Sequence, residues 1–90
     1  MITANEARDL TRNGRVTLVK IDDGDWSLYR VDLDGWPVGF VQHRDRIGWC
    51  AIAPKDGRPE IVDTHRSRRH AAVRRLLMAT IDQETASAQH

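Results

Sequence analysis

Apolar and β-prone residues fall into short runs separated by three Asp-Gly pairs, Asp23-Gly24, Asp34-Gly35 and Asp56-Gly57. A two-residue type I′ hairpin turn needs positive φ at both central positions, which Asp and Gly adopt more readily than bulkier residues. The first pair separates residues 16–21 from 26–33, and the second separates that run from 36–43. The third follows residues 47–53 and leads into Glu60-Ile61-Val62, while Arg44-Asp45-Arg46 is a polar link between the third and fourth runs. Connections this short join antiparallel neighbours, because a parallel crossover needs a dozen or more residues. The pattern therefore predicts an antiparallel meander of three to five strands, with residues 60–62 as a short fifth strand at the edge. Trp36, Val38 and Phe40 alternate with Gly39, Val41 and His43, and Ile47, Trp49, Ala51 and Ala53 alternate with Gly48, Cys50 and Ile52. Neither set is purely polar, so alternation leaves open which face is buried. Pro37 has no N–H for the ladder and belongs at a strand start or an edge.

After residue 63 the period changes. Ala72, Val73, Leu76, Leu77, Thr80 and Ile81 recur at three-and-four spacing, which predicts an amphipathic helix over about 65–83 whose stripe covers one sheet face. Thr64 or Ser67 is the expected N-cap, since a hydroxyl there accepts a bond from an orphan backbone N–H. Thr3-Ala4-Asn5-Glu6 followed by Ala7 and Leu10 starts either a short helix or an ordered coil, stopped near Asn13-Gly14. The fold class expected is α+β, an antiparallel β-meander packed against one C-terminal α-helix. Residues 15–83 form the single domain, 1–14 an N-terminal segment, and 84–90, which lack periodicity, a flexible tail.

Composition narrows the function classes. The chain has 90 residues, 40% of them hydrophobic and 30% charged, the profile of an ordinary globular domain. No apolar run is long enough for a membrane-spanning helix, and MITANEARDL lacks the basic and apolar regions of a secretory signal. A single cysteine, Cys50, cannot form an intramolecular disulfide. These features lead us to expect a cytoplasmic protein with no membrane partner. A domain this small buries roughly 60% of the surface its unfolded chain exposes, which favours a site on the surface over an enclosed one.

The formal net charge of +1 hides a partition. Residues 41–75 carry nine basic and four acidic side chains, whereas residues 1–40 carry five basic and seven acidic ones. Within the basic block, His65-Arg66-Ser67-Arg68-Arg69-His70 falls at the predicted helix start, where cations oppose the helix dipole. An external anion reverses that penalty, because backbone N–H groups and guanidinium groups then converge on it. On a helical wheel Arg68 and Arg75 lie in register opposite the apolar stripe, with Arg74 on a flank. The candidate binding residues are thus Arg44, Arg46, Arg66, Arg68, Arg69, Arg74 and Arg75, with Trp36 as an aromatic contact. Against this stands the plain reading that arginine is a good helix former on a solvated face. Trp26, Trp36 and Trp49 divide between core anchors and exposed contacts, at least one in each class.

Other constellations point away from chemistry. His65 and His70 are five apart, which turns them about 140° from each other on a helix and disfavours joint metal ligation. The aspartates of 22–25, with Asp32 and Asp34, lack EF-hand spacing and suit hairpin turns. Cys50 reads as a small buried hydrophobe, and no serine sits in a nucleophile-elbow setting. We expect no enzyme activity, no cofactor and no metal.

Trp36-Pro37-Val38-Gly39-Phe40-Val41, then Trp49-Cys50-Ala51-Ile52-Ala53, then Val62-Asp63-Thr64-His65-Arg66 leading into Ala71-Ala72-Val73-Arg74-Arg75-Leu76-Leu77, resemble the AP2-like, arm-type DNA-binding domains of phage integrases. The resemblance covers residues 28–77. It implies a three-stranded antiparallel sheet that enters the major groove, a helix bracing it from behind, and DNA contacts from Arg30, Gln42, Arg44 and Arg46. Here, however, the densest arginines fall on the helix, and the turns are acidic. A small Arg- and Ala-rich chain also looks like an actinobacterial phage or prophage accessory protein. Such a protein binds and modulates a host protein, here through an exposed tryptophan and the arginine ridge. Nucleic acid is the leading expected partner and an acidic host protein the alternative, with the chain a monomer or a homodimer.

Overall fold

The computed structural model describes residues 1–22 and 27–87. Its elements are α1 (Ala4–Arg12), β1 (Val16–Asp22), β2 (Leu28–Leu33), β3 (Trp36–Arg44), β4 (Gly48–Lys55), β5 (Arg58–His65), α2 (Arg69–Thr80) and α3 (Gln83–Ser87). The five strands form one antiparallel meander in the order β1-β2-β3-β4-β5. The fold is α+β, as the pattern predicts. Two of the Asp-Gly turns take the expected backbone: φ is 53° and 85° at Asp34-Gly35, and 51° and 78° at Asp56-Gly57. They set the two-residue registers Leu33↔Trp36 and Lys55↔Arg58. The Asp23-Gly24 turn and Trp26 lie outside the described residues.

The helices cover one face only. Tyr29, Val31 and Leu33 of β2, Val38 and Val41 of β3, and Trp49, Ala51 and Ala53 of β4 join Ala72, Val73, Leu76 and Leu77 of α2 and Ala7 and Leu10 of α1 in the core. The choice of face follows from size. Small side chains let α2 approach closely: a Cβ added at Gly39 would stand 2.8 Å from Leu76 Cδ1 and would also collide with the Ile52 carbonyl oxygen. Cys50 is buried on the other face, between its cross-strand partners Gln42 and Thr64.

Alternation along β3 breaks at one place. The pairing jumps from Val31↔Gly39 to Asp32↔Pro37, so Val38 is an extra residue. Such a bulge suits Pro37, which has no N–H to give. It turns Trp36 and Val38 to the helix side and leaves Phe40 on the open side, whereas strict alternation groups all three. A second bulge, at Val62, lies in β5, which is an eight-residue strand rather than a three-residue one.

Three segments depart from the expected boundaries. At the N-terminus the helix forms, closed by a capping box: Glu6 N–H donates to Thr3 Oγ1 at 3.2 Å, and Thr3 N–H donates to Glu6 Oε1 at 3.0 Å. That backbone donor, followed by the Gln83 side chain, holds the Glu6 carboxyl below the usual carboxylate range. The C-terminal helix runs over Arg69–Thr80 rather than 65–83, and its N-cap is Arg68, with no capping side-chain bond, rather than Thr64 or Ser67. His65 Nδ1 instead accepts the N–H groups of Arg68 at 3.1 Å and Ser67 at 3.4 Å. This ring-capped turn occupies the chain where a further helical turn was expected. Residues 83–87, placed mostly in the tail, form α3. Arg15 ties it down, donating to the carbonyl oxygens of Ala86 at 2.8 Å and Thr85 at 3.1 Å. Residues 88–90 lie outside the described residues. None of the described helices is long and apolar enough to cross a membrane.

Candidate nucleic-acid interface

The meander decides which charges meet. β3 ends at Arg44, β4 begins at Gly48, β5 ends at His65 and α2 begins at Arg69, so two loops carrying arginines emerge at the same end of the sheet. The loops touch. Gly48 has φ 97°, and a Cβ there would lie 2.5 Å from the Arg66 carbonyl oxygen and 2.7 Å from its Cα. Arg46 also adopts positive φ, 68°, at the exposed tip of its turn. This pole therefore brings together Arg44, Arg46, Arg66, Arg68 and Arg69.

Their partners define the electrostatics. Arg69 stacks on Tyr29, its Cζ 4.6 Å from the ring centroid, and Arg44 Nε donates to Gln42 Oε1 at 2.9 Å. Among the described residues, none of these five arginines forms an ion pair. The one described carboxylate in the two loops is Asp45, and it too makes no ion pair. β1 ends and β2 begins at this pole as well, at the far edge of the sheet; the acidic Asp23 and Asp25 between them lie outside the described residues. Beneath the arginines a cross-strand row, His43, Trp49 and His65, spans β3, β4 and β5. His43 meets Trp49 edge-on at 5.3 Å, and Tyr29 lies 6.1 Å from Trp49. Trp49 is thus the half-buried core tryptophan.

The remaining expected site residues do not gather here in the same way. Arg75 is a brace: Nη1 donates to Asp63 Oδ1 at 3.2 Å and to the Thr64 carbonyl oxygen, clamping α2 to β5. Arg74 is half-buried in a depression it shares with Ala4, His65 and Met78. Trp36 stands at the opposite pole, at the start of β3, about 26 Å from Arg44 by strand length. It is 76% exposed and borders a hollow of about 650 Å³ with Leu33, Val38 and Ile81.

The open face of the sheet carries Arg30, Gln42 and Arg44, three of the four residues that the integrase resemblance singles out, while Arg46 lies at the tip of the β3–β4 turn. Arg30 is neutralised by Asp32 in a bidentate pair of 2.8 and 3.0 Å. Gln42 and Arg44 instead flank a hollow of about 280 Å³ walled by Leu28, Phe40, Ile52 and Ile61. No family model, curated protein or solved structure matches the chain. The functional reading therefore rests on geometry. Sequence reasoning missed the His65 cap, the Arg69–Tyr29 stack and the Gly48–Arg66 contact. Of these, only Gly48, directly after a polar turn, carries a signal visible in one sequence. Among the described residues no group of three or more His, Cys, Asp or Glu could hold a metal ion.

Proposed function

We propose that the protein is a non-catalytic binding module that grips nucleic acid through its arginine pole. The observation that carries this reading is that five arginines gather at one end of the sheet and, among the described residues, none of them forms an ion pair. A protein selected for its own stability pairs such groups or spaces them apart. Gathered at one pole, they concentrate positive charge that a polyanion neutralises, and arginine forks match phosphate oxygens with two parallel hydrogen bonds. The uncapped start of α2 adds backbone N–H groups and the positive end of its dipole. Binding of this kind releases counterions, so affinity falls steeply with added salt. The test is fluorescence anisotropy with a mixed-sequence single strand and its duplex at low salt. Micromolar or tighter binding that weakens with salt is expected, and no binding to either overturns the reading.

Trp36 favours a second reading. A 76% exposed tryptophan beside an apolar hollow is the composition of a protein-binding hot spot. In that reading the Trp36 pole anchors a host protein, and replacing Trp36 with Ala abolishes a complex that resists moderate salt. Nucleic-acid binding is indifferent to the same substitution.

A further inference from the structure

We propose that the hollow on the open sheet face receives one unstacked base, so that the ligand of the arginine pole is single-stranded; this rests on the nucleic-acid reading above. Phe40, Gln42 and Arg44 project from β3 on the same face, in line toward the pole. Phe40 supplies a ring face, and Leu28, Ile52 and Ile61 supply apolar walls. Gln42 Oε1 is already occupied by Arg44 Nε, which leaves the Gln42 amide N–H groups and the terminal Arg44 N–H groups as donors at the rim. A base offers what this rim lacks, ring and carbonyl acceptors on a flat apolar body.

Three features select this occupant. At about 280 Å³ the hollow lies at the small end of ligand sites, the scale of a single heterocycle. The apolar patch across β2–β5 spans about 14 Å by 13 Å from strand geometry, roughly 200 Å². That is far below the ~800 Å² per partner of a stable protein interface. The charge also has a direction, since Arg44 at the rim leads to Arg46 and then to the remaining arginines of the pole. A nucleotide placed with its base in the hollow therefore sends its phosphates toward cations. A base paired in duplex cannot enter, because its edge and faces are already occupied.

The test compares dT12 with a 12-base-pair duplex, at one low salt concentration, for the intact protein and for Phe40→Leu. That variant keeps the apolar bulk and removes the ring face, and its thermal midpoint confirms folding. The intact protein should bind dT12 at least tenfold more tightly than the duplex. Phe40→Leu should lose about tenfold on dT12 and nothing on the duplex, the loss expected for one base–aromatic stack. Equal affinity for strand and duplex, or a Phe40→Leu variant that binds dT12 unchanged or weakens both alike, overturns the base site and leaves the arginine pole standing. Free dTMP competing as well as dT12 overturns the strand as ligand. A dimer in light scattering that Ile61→Lys dissociates assigns the face to a second copy and also overturns it. Failure of both oligonucleotides to bind is the separate failure of the nucleic-acid reading itself.

Discussion

The two poles of the sheet use the same residue type in opposite ways. At the Trp36 pole Arg15 is fully engaged: it forms a bidentate pair with Asp34 at 2.6 and 2.9 Å and donates to two carbonyl oxygens of α3. The Asp34 pairing lifts its already high pKa further, and the carbonyl bonds fasten α3 to the start of β1. At the other pole Arg46, Arg66 and Arg68 are exposed and, among the described residues, form no ion pair, and the loops that carry them are held by backbone contact and by a histidine ring. An arginine that serves the fold is recognised by its acceptors within the chain. One whose backbone is fixed while its head is left open keeps its donors available to an outside anion, which is the role proposed for this pole.

Three substitutions sharpen the contrast. Gly48→Ala should have the largest effect on stability, about 3 kcal/mol, because it forces a Cβ into positive φ and against the Arg66 backbone. It should also push the two arginine loops apart and weaken DNA binding, and paired denaturation and anisotropy measurements read both. Arg15→Ala should cost about 2 kcal/mol by removing the bidentate pair with Asp34 and the bonds to the α3 carbonyls, yet leave DNA affinity unchanged. A loss of DNA affinity in Arg15→Ala would erase the distinction between the poles. The smallest effect belongs to Glu6→Gln. A carboxyl whose pKa is depressed on folding stabilises above its unfolded value, and that contribution fades as pH falls through the folded value. The intact protein should therefore exceed Glu6→Gln in Tm at neutral pH, with the gap closing in acid.

The parts legible in the sequence are those set by local chemistry. The Asp34-Gly35 and Asp56-Gly57 turns fix positive φ at both positions, and Thr3 with Glu6 announces α1. The Leu76-Leu77 stripe announces α2. What escaped depends on contacts distant in sequence or on unfamiliar donors and acceptors. The bulge at Val38 follows from pairing with β2, and the burial of the Ala51–Ala53 side follows from how closely α2 can approach Gly39. The full length of β5 is hidden because its exposed edge positions, with Pro59 before Glu60, read as loop on either side of residues 60–62. α2 starts later than the hydroxyl caps imply because His65 Nδ1 accepts the N–H groups of Ser67 and Arg68 and holds them in a turn ahead of the helix. In the candidate site, the clustering of arginines in sequence anticipated the pole but not the withdrawal of Arg75 into a brace. Nor did it anticipate the separation of Trp36 from the charges.

The most direct test of the arginine pole is the salt dependence of DNA affinity for the intact protein and for the triple variant Arg66→Ala, Arg68→Ala, Arg69→Ala, with a thermal melt to show that both are folded. If these three side chains neutralise phosphates, the slope of log affinity against log salt should flatten by roughly 2 to 3 units. Parallel slopes in two folded proteins would contradict the account.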